Sequence, residues 1–138
     1  LKAEDVVAAA RSLVGTPFHH QGRIPGVALD CAGTIIETLK LIGINPIDRT
    51  DYGHDPCNGQ LEAQIAMQDY VVPVRGIRPG DFLVMSFIGE PQHLAVCTGE
   101  NIIHAYARVG KVVEHTFNDH WKQKVVAVYR LKELCDVG

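Results

Sequence analysis

His93-Leu94-Ala95-Val96-Cys97-Thr98-Gly99-Glu100-Asn101-Ile102-Ile103-His104-Ala105-Tyr106 is two apolar runs of strand length joined by a turn. Thr98-Gly99-Glu100-Asn101 has the form of a two-residue hairpin loop, with Gly99 at the first central position, where a type II′ turn needs a positive φ. If Thr98 pairs with Asn101, Ala95 faces His104 and His93 faces Tyr106, which makes His93 and His104 diagonal neighbours on one face. Such neighbours lie about 7–8 Å apart at Cα, within reach of two imidazoles, and the small Ala95 leaves room between them. A slip of one residue would send the rings to opposite faces. The turn therefore decides whether the sheet holds a pair of histidines.

Outward from this hairpin, residues 81–87, 111–116 and 124–131 are again short, β-branched or aromatic, and separated by glycine-containing turns. Together with 93–98 and 101–106 they predict an antiparallel meander. The first half has a different period. Ala3, Val6, Val7, Ala10, Leu13 and Val14 recur at helical spacing until Gly15-Thr16-Pro17 ends the pattern. Residues 18–29, rich in Gly, Pro and His, read as a loop. Cys31 then opens a second helix with Ile35, Ile36, Leu39 and Ile42 on one face and Gly43 as its stop. The small pair Ala32-Gly33 lets its first turn lie close against something. Between 45 and 76 turn chemistry dominates, with one short helix candidate over 60–68. Helices followed by a sheet make an α+β domain, N-terminal helices packed on an antiparallel β-sheet, and residues 1–138 fit a single domain.

The composition is that of a globular protein, with 46% apolar and 21% charged residues and a formal net charge of −3. It offers no basic stripe for nucleic acid or a membrane surface, so neither is expected as a partner. No apolar stretch approaches the roughly 20 residues that span a bilayer, and Leu1-Lys2-Ala3-Glu4-Asp5 is acidic and helical rather than signal-like. The absence of an initiating Met leaves secretion open. A chain of this length has no room for a substantial targeting domain, so delivery to a distant substrate is expected to fall to a partner. The cysteines, at 31, 57, 97 and 135, are irregularly spaced and are expected to be free thiols. Cys97 reads as a small buried hydrophobe and Cys135 as part of a loose tail.

Only Cys31 has a context that suggests chemistry. In the first turn of a helix a thiol feels the dipole and the unpaired N–H groups, which lowers its pKa from about 8.5 and supplies donors for an oxyanion. A cysteine nucleophile also needs a base, and the base needs a partner that holds its tautomer. His93 and His104 supply both. Without them, a packing cysteine would be the more frequent role. Of the seven histidines, His115 and His120 read as surface or turn residues. His54 and Cys57 have a spacing that suits zinc, but a structural site takes about four ligands and no second compact pair exists. No metal and no other cofactor is expected. His20 lies in the loop before the cysteine and is a candidate for the substrate cleft, or is simply solvated. Asp30, next to the cysteine, and Tyr106, opposite His93, complete the cleft candidates.

Five segments in one order resemble the NlpC/P60 cell-wall peptidases: Leu13-Val14-Gly15-Thr16-Pro17-Phe18, Leu29-Asp30-Cys31-Ala32-Gly33, Arg78-Pro79-Gly80-Asp81-Phe82, His93-Leu94-Ala95-Val96 and Ile102-Ile103-His104-Ala105. The resemblance implies a papain-like α+β fold in which Cys31 is the nucleophile, His93 the general base and His104 the polar third member. It implies cleavage of peptidoglycan stem peptides, at a γ-D-glutamyl to diamino-acid bond. Phe18-His19-His20-Gln21-Gly22-Arg23 and Gly110-Lys111-Val112-Val113-Glu114-His115 look like the branch found in tailed bacteriophages and in phage-derived particles such as gene transfer agents. Tail-tip or hub proteins are then the expected partners, and the virion tail acting on the cell envelope the expected place. The alternative place is secreted or periplasmic. Many autolysins carry an aromatic and Gly-Gly before the cysteine; this chain has His20-Gln21-Gly22, which departs from any tyrosine-assisted role there. Two rival readings are a catalytically silent structural tail-hub component and a thiol amidase or acyltransferase acting on a non-wall substrate.

Overall fold

The computed structural model describes residues 1–51, 60–87 and 90–135. The first helix, α1 (Ala3–Arg11), carries Glu4 and Asp5 in its first turn, where acidic groups complement the helix dipole. Asp5 also accepts the Lys2 backbone N–H at 2.8 Å. Val6, Val7 and Ala10 are buried, and Leu13 is buried beyond the helix end. The apolar spacing thus outruns the helix by one turn. A small ribbon, β1 (Arg23–Ile24) paired with β2 (Ala28–Leu29), lies within the stretch expected to be loop. Two rungs are too few to leave an alternating pattern.

The next helix, α2 (Cys31–Leu41), is flanked by α1, by the ribbon and by the sheet, so every residue from Cys31 to Leu39 is buried. The 60–68 candidate forms α3 (Gln60–Ala66). Its Leu61 N–H donates to the side-chain oxygen of Gln92 at 2.7 Å, which ties α3 to the strand bearing His93.

Six strands form the main sheet: β3 (Val71–Pro73), β4 (Phe82–Phe87), β5 (Glu90–Cys97), β6 (Asn101–Tyr106), β7 (Lys111–Thr116) and, after the one-turn helix α4 (Asp119–Lys122), β8 (Val125–Leu131). Their order is β3-β8-β4-β5-β6-β7, all antiparallel. The meander holds from β4 to β7 and then breaks, because β8 crosses back to pair with β4 instead of extending past β7. Phe82, Leu83, Val84 and Met85 are all 0% exposed. A strand buried on both faces is a central one that needs a neighbour on each edge, and β8 fills the second. The hairpin register is the one its turn chemistry predicts: Val96 pairs with Ile103 and Cys97 with Ile102, Thr98 N–H donates to the Asn101 carbonyl at 2.9 Å, and Gly99 has φ +113°.

Alternation divides the core. Val84, Leu94, Val96, Ile103 and Ala105 pack with Cys31, Ala32, Ile35 and Leu39 of α2. Leu83, Met85, Ala95, Cys97 and Ile102 form a second cluster with Phe117 and, at its margin, Trp121. His93 and His104 share the alternation of this second set.

Asp81 and Arg130 pin β4 to β8. The guanidinium meets both carboxylate oxygens, at 2.7 and 2.8 Å, and the carboxylate also accepts the Arg78 N–H at 2.8 Å. Both residues are buried. Removing the anion would strand a buried cation, so Asp81→Ala is expected to lower unfolding free energy by about 3–5 kcal/mol. The measurement is the urea midpoint at unchanged m-value; a shift below about 1 kcal/mol would show that Arg130 is not held by this pair.

Candidate active site

The start of α2 is set by one carboxylate. Asp30 is extended, with φ −105° and ψ −172°, and caps the helix. Its Oδ1 accepts the Gly33 N–H at 2.7 Å and an Arg23 guanidinium N–H at 3.0 Å, while its Oδ2 accepts the Gln21 N–H at 2.8 Å. Gln21 lies in the left-handed region at φ +60°, within a turn closed by Gly22 N–H to the His19 carbonyl at 2.9 Å. The turn presses against the helix: a Cβ at Gly33 would stand 2.1 Å from the Gly22 carbonyl oxygen. This is the close approach that Ala32-Gly33 permits. Asp30 is 3% exposed, so its part is to place the residue that follows it rather than to line an open cleft.

Cys31, the first residue of α2, is 9% exposed and not disulfide-bonded. Hydrogen bonds trace its position relative to the sheet. Leu29 N–H donates to the Pro17 carbonyl at 3.0 Å, Phe18 N–H donates to the Gly110 carbonyl at 2.8 Å, and Pro17 bridges Lys111. Lys111 pairs with Tyr106, and the hairpin register sets Tyr106 across from His93. Cys31 therefore starts at the end of the sheet where His93 and Tyr106 lie, while the body of α2 packs along β5 and β6.

His93 and His104 meet directly. Nε2 of His93 is 2.5 Å from Nδ1 of His104, with the rings nearly perpendicular and their centroids 4.8 Å apart. Both are buried, at 5% and 0% exposure. Phe87 lies 4.9 Å from the His93 ring, Tyr106 stacks on His104 at 5.1 Å, and Trp121 stands edge-on to His104 at 5.4 Å. Burial pushes the pKa of both imidazoles well below the ordinary histidine value, and for His104 the two neighbouring imidazoles add to it. Both shifts favour the neutral rings. His93 uses Nε2 toward His104, which leaves its Nδ1 turned away from the pair.

His115 is not the surface residue its sequence context suggests. It is half-buried, and its Nε2 is 2.7 Å from Nε2 of His104. Ile102 pairs with His115, so His115 is diagonal to His104 on the same face, by the geometry that joins His104 to His93. Its placement follows from the pairing of Tyr106 with Lys111 across the 107–110 turn, which lacks the two-residue signature that sets a register in sequence. His120 is exposed, as expected, and its ring faces Trp121. Trp121, on a single turn of helix, has no periodicity to mark it.

The remaining candidates divide. Tyr106 is half-buried against the imidazoles and retains an open edge, whereas His20 is half-buried in the turn that Asp30 anchors. Cys97 is fully buried, with its thiol pKa raised by burial, and Cys135 is half-buried with its sulfur 3.6 Å from the Leu131 carbonyl oxygen. His54 and Cys57 lie outside the described residues. Among those described, no group of three or more His, Cys, Asp or Glu side chains is placed to hold a metal.

Comparison with known proteins matches this arrangement to one family. The family model described as NlpC/P60 matches residues 15–130. No curated protein matches the sequence. Among solved structures, the NlpC/p60 domain of the peptidoglycan hydrolase SagA is 20% identical with a TM-score of 0.64, over 93% of this chain and 97% of that one. NlpC2 of Trichomonas vaginalis is 16% identical with a TM-score of 0.70, over 94% of this chain and 46% of that one. An NlpC/P60 family protein of Bacillus cereus is 20% identical with a TM-score of 0.64, over 91% of this chain and 39% of that one. The chain thus spans nearly all of the SagA domain and less than half the length of the other two. With its papain-like α+β fold and a match over most of its length, the chain belongs to the NlpC/P60 family.

Proposed function

We propose that this domain is a cysteine endopeptidase that hydrolyses peptidoglycan stem peptides, at a γ-D-glutamyl to diamino-acid bond, with Cys31 as nucleophile, His93 as general base and His104 as the residue that orients it. One observation carries the reading: a buried imidazole pair joined at 2.5 Å lies at the sheet end where Cys31 opens α2. Family membership supports the reaction class, and the SagA domain, which this chain resembles in fold, belongs to a peptidoglycan hydrolase.

The chemistry is acyl transfer in two steps. The Cys31 thiol gives its proton to His93 Nδ1, and the sulfur attacks the amide carbonyl carbon. N–H groups of the first turn of α2 stabilise the oxyanion. The tetrahedral adduct collapses as His93 returns the proton to the leaving amine, which departs and leaves a thioester on Cys31. A water then loses a proton to His93, attacks the thioester carbonyl and releases the carboxylic acid as the thiol is restored. Throughout, His104 Nδ1 accepts the His93 Nε2–H and keeps the ring aimed.

Cys31→Ala and His93→Ala should each reduce fragment release from purified sacculi by at least about a thousandfold with the fold intact. His104→Ala should cost about ten- to a hundredfold, and His104→Asn less, since an acceptor is what the site needs. Mass spectrometry of the released fragments reports activity and bond together. Full activity in Cys31→Ala would sink the mechanism, and a silent wild type would favour a structural role.

Neutral burial has a cost in acid. In the unfolded chain both imidazoles titrate near about 6.5, below which that chain binds protons the folded one refuses. Stability is therefore expected to be level above this value and to fall as pH drops through it. Urea midpoints measured from about pH 8 to about pH 5 test this, and His104→Asn should flatten the slope.

For its place, we propose the tail tip of a phage-like particle. The residues from Phe18 to Arg23 and from Gly110 to His115 support it, and the structure ties these segments together through the Phe18 to Gly110 hydrogen bond. Immunogold labelling of intact particles should mark the distal tail. Finding the protein only in secreted medium or periplasm would favour a stand-alone autolysin.

A further inference from the structure

We infer that His115 is a positioning residue that, through His104, decides which nitrogen of His93 carries the lone pair. The inference deepens the proposed mechanism and rests on it for its catalytic meaning. It begins at a backbone carbonyl. His115 Nδ1 lies 3.1 Å from the carbonyl oxygen of Thr116. A carbonyl only accepts, so Nδ1 bears the hydrogen, and in a neutral imidazole the other nitrogen is then bare. His115 Nε2, at 2.7 Å, therefore accepts from His104 Nε2–H. His104 Nδ1 is bare in turn and, at 2.5 Å, accepts from His93 Nε2–H. The chain ends with the lone pair on His93 Nδ1, the nitrogen turned away from the pair.

The opposite polarity is the informative alternative. If His115 Nε2 carried the hydrogen, His104 would accept there and donate from Nδ1 to His93 Nε2. His93 would then hold its hydrogen on Nδ1 and could take no proton from a thiol. It would also leave His115 Nδ1, as an acceptor, facing a carbonyl that cannot donate. The three contacts agree in one direction only. Trp121 stabilises this arrangement from the side, its ring 4.6 Å from His115 and 5.4 Å from His104. As His93 becomes positive, the same chain supplies stronger, charge-assisted hydrogen bonds at its back.

The test separates an acceptor from a donor at position 115. Using the whole chain and purified sacculi, His115→Gln, which can accept through its amide oxygen, should stay within about threefold of wild type. His115→Ala should lose about tenfold. His115→Lys, a donor only, should lose about a hundredfold or more by reversing the His104 tautomer. Two further readouts do not depend on the substrate. Long-range nitrogen–proton NMR of the wild type should show His93 as the Nε2–H tautomer, and Cys31 should alkylate more slowly with iodoacetamide in His115→Lys than in His115→Gln. A His93 Nδ1–H tautomer in the wild type, or equal turnover and alkylation in the Gln and Lys variants, would overturn the inference. Failure of every variant and the wild type on sacculi, with the Nε2–H tautomer present, would instead count against the proposed substrate and leave the positioning role supported.

Discussion

The shared carboxylate of Asp30 is the constraint on which the rest of the site depends. It stops the preceding chain, starts α2, and holds the 19–22 turn against the helix through separate donors. A free helix end would leave Cys31 frayed and its N–H groups open to water; a capped one presents the residue in a single backbone conformation. Because α2 is then buried on all sides from Cys31 to Leu39, the position of the thiol is inherited from the packing of the entire first half of the chain.

The second half supplies the complementary constraint. The imidazole pair exists because a tight turn sets the register of β5 against β6, and that turn was legible from Gly99 and its neighbours. The close approach that the small residues after Cys31 allow was equally local in origin. What escaped had nonlocal causes. The return of β8 to β4 depends on β4 being buried on both faces, which its own apolar run leaves ambiguous between a central strand and a helix segment. The β1–β2 ribbon is too short to leave a period. His115 depends on a register set across a longer turn, and Trp121 on tertiary packing of a single helical turn. Reading one hairpin correctly located two of the imidazoles, and reading a second would have located the third.

The two apolar clusters also assign different duties to the two faces of the sheet. One face, with α2, is an aliphatic core whose loss would unfold the chain. The other ends in a group of rings, Phe87, Tyr106 and Trp121 around three imidazoles, in which polar atoms are satisfied by one another. Such a network is costly when incomplete and rigid when complete. Such rigidity holds the rings in one orientation, in a chain that belongs to the NlpC/P60 family.

The bridge between Pro17 and Lys111 has a consequence for the order of events during synthesis. The loop that leads to Cys31 leaves the ribosome well before its edge partners, Gly110 to Val112. Until they arrive the loop lacks its outer support, and Cys31 and the imidazoles belong to halves of the domain that have not yet docked. Closing so long a loop is entropically expensive and takes place late. Incomplete or nascent chains therefore lack the assembled face, which forms only once both halves of the domain are present.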